Sequence, residues 1–308
     1  MTSPAALIGI DWGTTSFRAY QIGADGRVVE SKSAQAGIQK VREGEFEHVF
    51  EREIGAWLRD HPGLPVLASG MITSRQGWVE VPYCPCPAGS AEIARAIVRH
   101  KTRHGRIMHF VPGLSIVGAD GVPDVIRGEE TQILGEAGAA STPRLLVLPG
   151  THSKWALFED GRIVWFATFM TGEVFGVLKE HSILGRMMAD AEHDPQAFRR
   201  GLAYARAEGG GLLKRLFSAR TLALFEQLPS QGVAWYLSGL LIGTEIREAL
   251  DCLERPSVGQ EITVIGSSDL TDRYLAAIQD AGLRAHRGAP DAGARGLFLI
   301  AVAAGLVR

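Results

Sequence analysis

Asp11 closes a short apolar run, Leu7-Ile8-Gly9-Ile10, and is followed almost at once by Gly13-Thr14-Thr15-Ser16. A turn built of glycine and hydroxyl residues lets the backbone approach an anion closely and presents successive amides to it. A carboxylate at the edge of such a turn suits magnesium, which is usually held by one or two carboxylates together with substrate phosphates. An ordinary hairpin with an acidic edge has the same local appearance, so the weight falls on the rest of the chain.

A second strand-turn-strand unit follows the same plan. Arg144 to Leu148 reads as a strand, Pro149-Gly150-Thr151-His152-Ser153-Lys154 as a turn, and Trp155 to Phe158 as a returning strand. Asp160-Gly161 then leads to a third strand ending at Phe169, just as Asp25-Gly26 leads to Arg27–Ser31 in the first unit. This repetition predicts two similar domains facing one another. Between the units, Arg127-Gly128-Glu129-Glu130 looks like a helix start. Acids are favoured in a first helical turn by the helix dipole, which is the plain explanation; a general base at a strand-to-helix corner is the functional one.

Two further stretches could touch ligands. Met71, Thr73, Ser74, Arg75, Gln76 and Trp78 combine hydroxyl, amide, guanidinium and indole groups, a mixture suited to a polyol acid, although a solvated connection would read alike. Arg75 is the first choice for a substrate carboxylate because arginine meets one bidentately; Arg18 and Arg127 are rivals. Gly266-Ser267 ends the strand Ile262–Ile265 just before a helix, where backbone amides can meet a nucleotide.

The elements expected to position these residues follow from hydrophobic periodicity. Val41–Leu58, Ala91–His100, Thr171–His181, Leu202–Leu228, Trp235–Leu250 and Asp269–Ala281 read as helices, and a small-residue helix starts near Asp291. Pro65–Gly70 and Ile107–Val111 read as strands, and 137–143 as a hinge. The expected domains are therefore 1–136 and 137–308, with helix 291–307 free to pack back against the domain interface. The face of Leu202–Leu228 is either domain core or a subunit contact, so a homodimer is admissible.

The 308 residues, 46% hydrophobic and 21% charged, supply ample core for two domains. Lys+Arg 32 against Asp+Glu 34 leaves no basic excess, which argues against a nucleic-acid partner. No apolar run is long enough for a membrane span and the N-terminus has no signal-peptide pattern. Three cysteines make no disulfide framework, and Cys84-Pro85-Cys86 lacks zinc-knuckle spacing. The expected compartment is the cytoplasm.

The two phosphate loops, the acidic helix and the late Gly-Ser turn resemble the actin/hexokinase/Hsp70 superfamily. Ile10–Thr15, Gly70-Met71, Arg127–Gln132, Pro149–Trp155, Met170–Glu173 and Leu237–Gly243 resemble the 2-dehydro-3-deoxygalactonokinase family more specifically. The resemblance covers essentially the whole chain. It implies an α/β fold of two similar actin/hexokinase-like (ribonuclease H-like) domains with a cleft between them. It also implies ATP and Mg2+, with transfer of the γ-phosphoryl group to the 6-hydroxyl of 2-dehydro-3-deoxy-D-galactonate, a step of galactonate catabolism. Asp11 would hold magnesium. Gly13, Thr14, Thr15 and Arg18 would contribute to the first phosphate site, and Gly150, Thr151, His152 and Lys154 to the second. Gly266 and Ser267 would meet adenosine. Gly128-Glu129 stands where related sugar kinases carry a Gly-Asp pair whose acid is the base, so Glu129 is expected to act. Glu130 is expected to cap or pair on the outside. The alternatives are a kinase of another sugar or sugar acid, or an ATP-dependent regulatory protein.

Overall fold

The computed structural model describes residues 4–138, 140, 142–189, 193–253, 261–266 and 268–307, the Ser268 side chain excepted. They gather into two compact units: Met1–Pro143 with Ala156–Phe166 and Ala289–Arg308, and Arg144–Trp155 with Ala167–Gly288.

The first unit opens with a three-stranded meander, β1 (Ala5–Trp12), β2 (Phe17–Gly23) and β3 (Val28–Ala34). Helix α1 (Phe46–Asp60) follows, then β4 (Val66–Ser69), the short β5 (Cys84–Pro85) and β6 (Ala88–Gly89), and α2 (Ser90–Arg95). Next come β7 (Val98–Lys101), β8 (Ile107–Phe110), β9 (Leu114–Val117), β10 (Pro123–Ile126) and α3 (Glu129–Ala137). The main sheet has the order β3-β2-β1-β4-β8-β7, and a small sheet the order β10-β9-β5. β1 runs antiparallel to β2 and parallel to β4, which runs parallel to β8. Ile8, Ile10, Trp12, Phe17, Phe50, Ile54, Val66 and Phe110 form the core between this sheet and α1.

The chain continues with β11 (Arg144–Leu148), β12 (Ser153–Glu159) and β13 (Arg162–Phe169), of which Ala156–Phe166 counts with the first unit, and the second unit carries α4 (Thr171–His181), α5 (Pro195–Arg206), α6 (Leu212–Leu224) and α7 (Val233–Cys252). It continues through β14 (Glu261–Val264), α8 (Ser268–Asp280) and β15 (Arg284–Arg287). The last helix, α9 (Ala292–Ala303), belongs to the first unit. The second sheet has the order β15-β14-β11-β12-β13-β6. Its run β13-β12-β11-β14-β15 repeats the run β3-β2-β1-β4-β8 of the first sheet. The repeat visible in the sequence is thus a repeat of topology: a meander, then two strands added in parallel beside its first member.

Three helix assignments are corrected. Ala91–His100 is not one helix: α2 stops at Arg95 and Val98–Lys101 pairs antiparallel with β8. So short a stretch of pattern separates helix from strand poorly, and the sheet edge decides it. Leu202–Leu228 is broken into α5 and α6, because Gly209 and Gly210 take positive φ values of 77° and 80° between them. α1 begins at Phe46, after Gly44.

α9 lies against α3 and β1. A Cβ on Gly296 would stand 1.7 Å from the Thr131 carbonyl oxygen, so only glycine allows the two helices this approach. Gly296→Ala must push α9 away from α3 and should destabilise the protein by roughly 1–3 kcal/mol, as overpacked cores do. A fall of several degrees in melting temperature by calorimetry is the expected reading; an unchanged value would mean that α3 is held by other contacts.

Candidate active site

In the first unit, β1 delivers Asp11 at its end, β4 ends one residue before Gly70, and α3 begins one residue after Gly128. Gly70 and Gly128 both adopt positive φ, 93° and 105°, where a side chain would be strained. They also touch: a Cβ on Gly128 would lie 3.2 Å from the Gly70 Cα, and one on Gly70 would lie 3.2 Å from Asp11 Oδ1 and 2.8 Å from the Trp12 carbonyl oxygen. Two strand-end corners therefore close onto the Asp11 carboxylate with no side chain between. Burial pushes the Asp11 pKa up; Arg18, 3.7 Å away, pulls it back, and Glu129 raises it again. The repulsion shows that Glu129 shares a field with Asp11. A buried carboxylate at a strand end, with the partly exposed Glu129 near enough to repel it, is a setting that suits a divalent cation. Among the described residues no cluster of three or more His, Cys, Asp or Glu side chains is arranged for a metal. Magnesium here would depend on phosphate oxygens and water as well as on protein, its usual habit.

Glu129 and Glu130 part company at the start of α3. Glu129 Oε2 accepts from the Arg127 amide at 2.8 Å and Glu130 Oε2 from the Gly128 amide at 2.7 Å, so both serve donors at the helix entry. Glu129 remains partly exposed, whereas Glu130 is completely buried. The expectation that Glu130 points outward is overturned. The tight glycine corner starts α3 with its first residue partly exposed and swings the neighbour, about 100° round the helix, into the interior. Glu130 Oε1 has no hydrogen-bond partner. Burial, reinforced by Glu129, pushes its pKa up to about 8, so Glu130 is largely protonated at neutral pH.

The first loop is shaped by the segment after β3. The carbonyls of Gly13, Thr14 and Thr15 accept from the amides of Ile38, Gln39 and Gly37 at 3.0, 3.2 and 3.2 Å. This fixes the carbonyl edge of the turn inward. Gly13 donates its own amide to the Ser16 carbonyl, so it gives the turn its shape and not a donor. Thr15 is exposed and Thr14 half-buried.

In the second unit, Gly150 and Thr151 follow β11, Thr151 and His152 are exposed, and Lys154 is buried with Nζ donating to Thr168 Oγ1 at 3.1 Å. His152 Nε2 meets Glu173 Oε2 on the first turn of α4. β11 and β14 run parallel, so Gly266 emerges beside the same loop, 3.6 Å from the Pro149 carbonyl oxygen as measured from its would-be Cβ. Ser267 lies outside the described residues.

The stretch Met71–Trp78 divides. Arg75 and Gln76 are exposed. Ser74 Oγ turns back to the Met71 carbonyl at 2.7 Å, and the buried Thr73 Oγ1 donates to the Gly70 carbonyl at 3.0 Å. Trp78 is given a different task from ligand contact: it packs edge-on to Phe110 at 5.9 Å and beside Phe50 at 5.7 Å, joining the core with Met71 against it. The apolar sheet it follows offers its ring a drier home than the loop does. Arg127 also holds structure. Nη1 donates to the Thr73 carbonyl at 2.6 Å, Nη2 to the Val81 carbonyl at 3.0 Å, and the guanidinium lies over the Tyr83 ring. It clamps the 71–83 segment to the corner that bears Glu129. Gly70 and Gly128 matter most here; the sequence names both in the motifs that carry the resemblance, but their contact with each other has no local sign in it.

An acidic strand end beside a hydroxyl loop, two sheets of repeated topology and a glycine corner followed by a second acid describe a two-unit α/β protein with loops suited to phosphate. Solved structures agree on the fold: component A of the (R)-2-hydroxyglutaryl-CoA dehydratase from Acidaminococcus fermentans superposes with TM-score 0.53 at 12% identity over 97% of this chain and 98% of that one. A family model described as 2-keto-3-deoxy-galactonokinase matches residues 11–300. This chain belongs to that family. It is 34% identical to 2-dehydro-3-deoxygalactonokinase of Escherichia coli K12, over 90% of this chain and 91% of the relative. It is 36% identical to a Rhizobium meliloti 1021 protein carrying the same enzyme name, over 92% of each. A Sinorhizobium meliloti crystal structure under that name superposes with TM-score 0.86 at 34% identity, over 96% of this chain and 98% of that one.

The buried Glu130 gives a pH signature. Between the ordinary carboxylate range and about 8, the folded protein keeps a proton that the unfolded chain has lost. Stability from this group is therefore full at low pH and declines as pH rises through that window. Glu130→Gln removes the titration and keeps the shape. Its melting temperature relative to the unsubstituted protein should rise as buffers go from about pH 5 to about pH 8.5. A difference that stays flat would mean Glu130 is not held neutral.

Proposed function

We propose that this kinase transfers the γ-phosphoryl group of ATP to the 6-hydroxyl of 2-dehydro-3-deoxy-D-galactonate, as a cytoplasmic enzyme of galactonate breakdown. The relatives' enzyme names support the substrate. The observation that carries the chemistry is the close approach of Gly128, from which Glu129 starts α3, to Gly70 beside the Asp11 carboxylate. Asp11 would hold Mg2+, which when bound neutralises phosphate charge. Glu129 is the base. It is the acid of the pair that shares a field with Asp11, while Glu130 is buried and largely protonated and so is poorly placed to accept a proton.

The chain's own residues supply position more than covalent chemistry, which is what phosphoryl transfer requires. The hydroxyls of Thr14 and Thr15, with Arg18, serve the first phosphate site, and Gly150, Thr151, His152 and Lys154 the second. Gly266 and Ser267 meet adenosine. The exposed Arg75 takes the sugar-acid carboxylate, flanked by Gln76, with Thr73 and Arg127 holding the segment in place. The cytoplasmic reading accords with the free thiols of Cys84 and Cys86. Among the described residues no helix is long and apolar enough to cross a membrane.

A homodimer through α6 is part of this reading, because Leu213, Phe217, Leu224 and Phe225 stand exposed along it. Phe217→Asp should then convert a dimer to a monomer by light scattering; a monomer before and after would remove the dimer from the account. For the chemistry, Glu129→Gln should lower kcat by about 10²–10⁴-fold while ADP affinity stays near normal, since base catalysis acts in the transition state. Asp11→Asn should lose turnover by more than tenfold, a difference of about 1.4 kcal/mol. A Glu130→Gln variant with the larger kcat loss would reassign the base.

A further inference from the structure

Glu245 lies midway along α7, a helix otherwise lined with leucine and isoleucine, and is only 2% exposed. Packing alone gives no reason for a carboxylate there, since an unsatisfied buried charge is strongly unfavourable. Here it is satisfied from four directions. Oε1 accepts from Ser153 Oγ and from Trp155 Nε1, both at 2.7 Å. Oε2 accepts from the Tyr274 hydroxyl at 2.6 Å, and the Thr171 hydroxyl bonds the same carboxyl group. The donors come from the start of β12, the first residue of α4 and the second turn of α8. Trp155 Nε1 can only donate, which fits an ionised acceptor. Burial raises the Glu245 pKa and the four hydrogen bonds work against that rise.

Two of these donors bracket the second loop. Ser153 is two residues beyond Thr151. Thr171 precedes Gly172, whose approach to the loop is so close that a Cβ there would lie 2.3 Å from the Gly150 carbonyl oxygen and 2.9 Å from the Thr151 Cα. The Glu173 amide donates to the Thr151 carbonyl at 2.9 Å. The loop is thus gripped between the start of β12 and the start of α4, and both grips end on one carboxylate.

We infer that Glu245 is a positioning residue for nucleotide binding: by holding Ser153 and Thr171 it sets the backbone of Gly150 and Thr151 against the phosphates. This rests on the reading of Gly150-Thr151 as a phosphate loop. A residue acting this way should govern nucleotide affinity and leave sugar-acid affinity alone. A residue that merely stabilises α7 should lower the melting temperature and change neither.

The test uses the full chain, with magnesium-ADP affinity measured by calorimetry and the sugar acid's KM by turnover. Glu245→Gln and Ser153→Ala should each weaken magnesium-ADP by about tenfold, the scale of a hydrogen bond to a charged group, and shift the sugar-acid KM less than about twofold. Tyr274→Phe, on the side away from the loop, should do less. Ser153→Ala decides the matter if Glu245→Gln does not fold. Thr151→Glu, at an exposed position, sets a carboxylate in the loop itself and should abolish magnesium-ADP binding. If Thr151→Glu binds like the unsubstituted protein, the phosphate-loop reading falls and the inference with it. If Thr151→Glu loses binding but Ser153→Ala and every folded Glu245→Gln keep it, the inference alone is overturned.

Discussion

The contact of Gly70 with Gly128 beside the Asp11 carboxylate is the constraint on which the first unit's chemistry depends. Both residues take backbone conformations that a side chain resists, and a Cβ on either would fill the space between them. Because the corner is bare, α3 can begin against the end of β1. Its first acid then shares the field of Asp11, and its second is forced into the interior and kept protonated. Two adjacent glutamates acquire different chemistry from one turn of backbone. α9 secures the arrangement from behind through the close approach of Gly296 to Thr131.

The second unit meets the same demand by another means. Its loop is backed by a buried carboxylate and the start of a helix, where the first unit uses the amides of 37–39 at the entry to a short 3-10 turn. The two sheets share a strand order but not the devices that shape their loops. The repeat is one of strand order, and each loop is shaped by its own neighbours.

Much of this was legible in the sequence. The two strand-turn-strand units and the acid pair at a helix start follow from periodicity, turn residues and local spacing, which act over a few residues. What was not legible depends on partners remote along the chain. Glu245 is 92 residues from Ser153, and its place in an apolar helix gives no local sign of four donors. Trp78 reads as a ligand residue in its polar loop, yet its ring, partly buried, packs against the core of the nearby sheet. Arg127 reads as a rival for the substrate carboxylate, but the carbonyls of Thr73 and Val81 occupy it. Glu130 reads as an outer capping residue because helical geometry separates neighbours without saying which one faces inward. The glycine run that splits α5 from α6 was overridden by an apolar pattern that continues on both sides of it.

ADP release by the unsubstituted protein, followed with ATP and magnesium across a panel of sugar acids, with the product's phosphorylated position read by NMR, tests the proposed phosphoryl transfer most directly. The prediction is release that depends on the sugar acid, fastest with 2-dehydro-3-deoxy-D-galactonate, and a phosphate on its 6-oxygen. Release at the same rate without any sugar acid, or a clear preference for another acceptor, would contradict it.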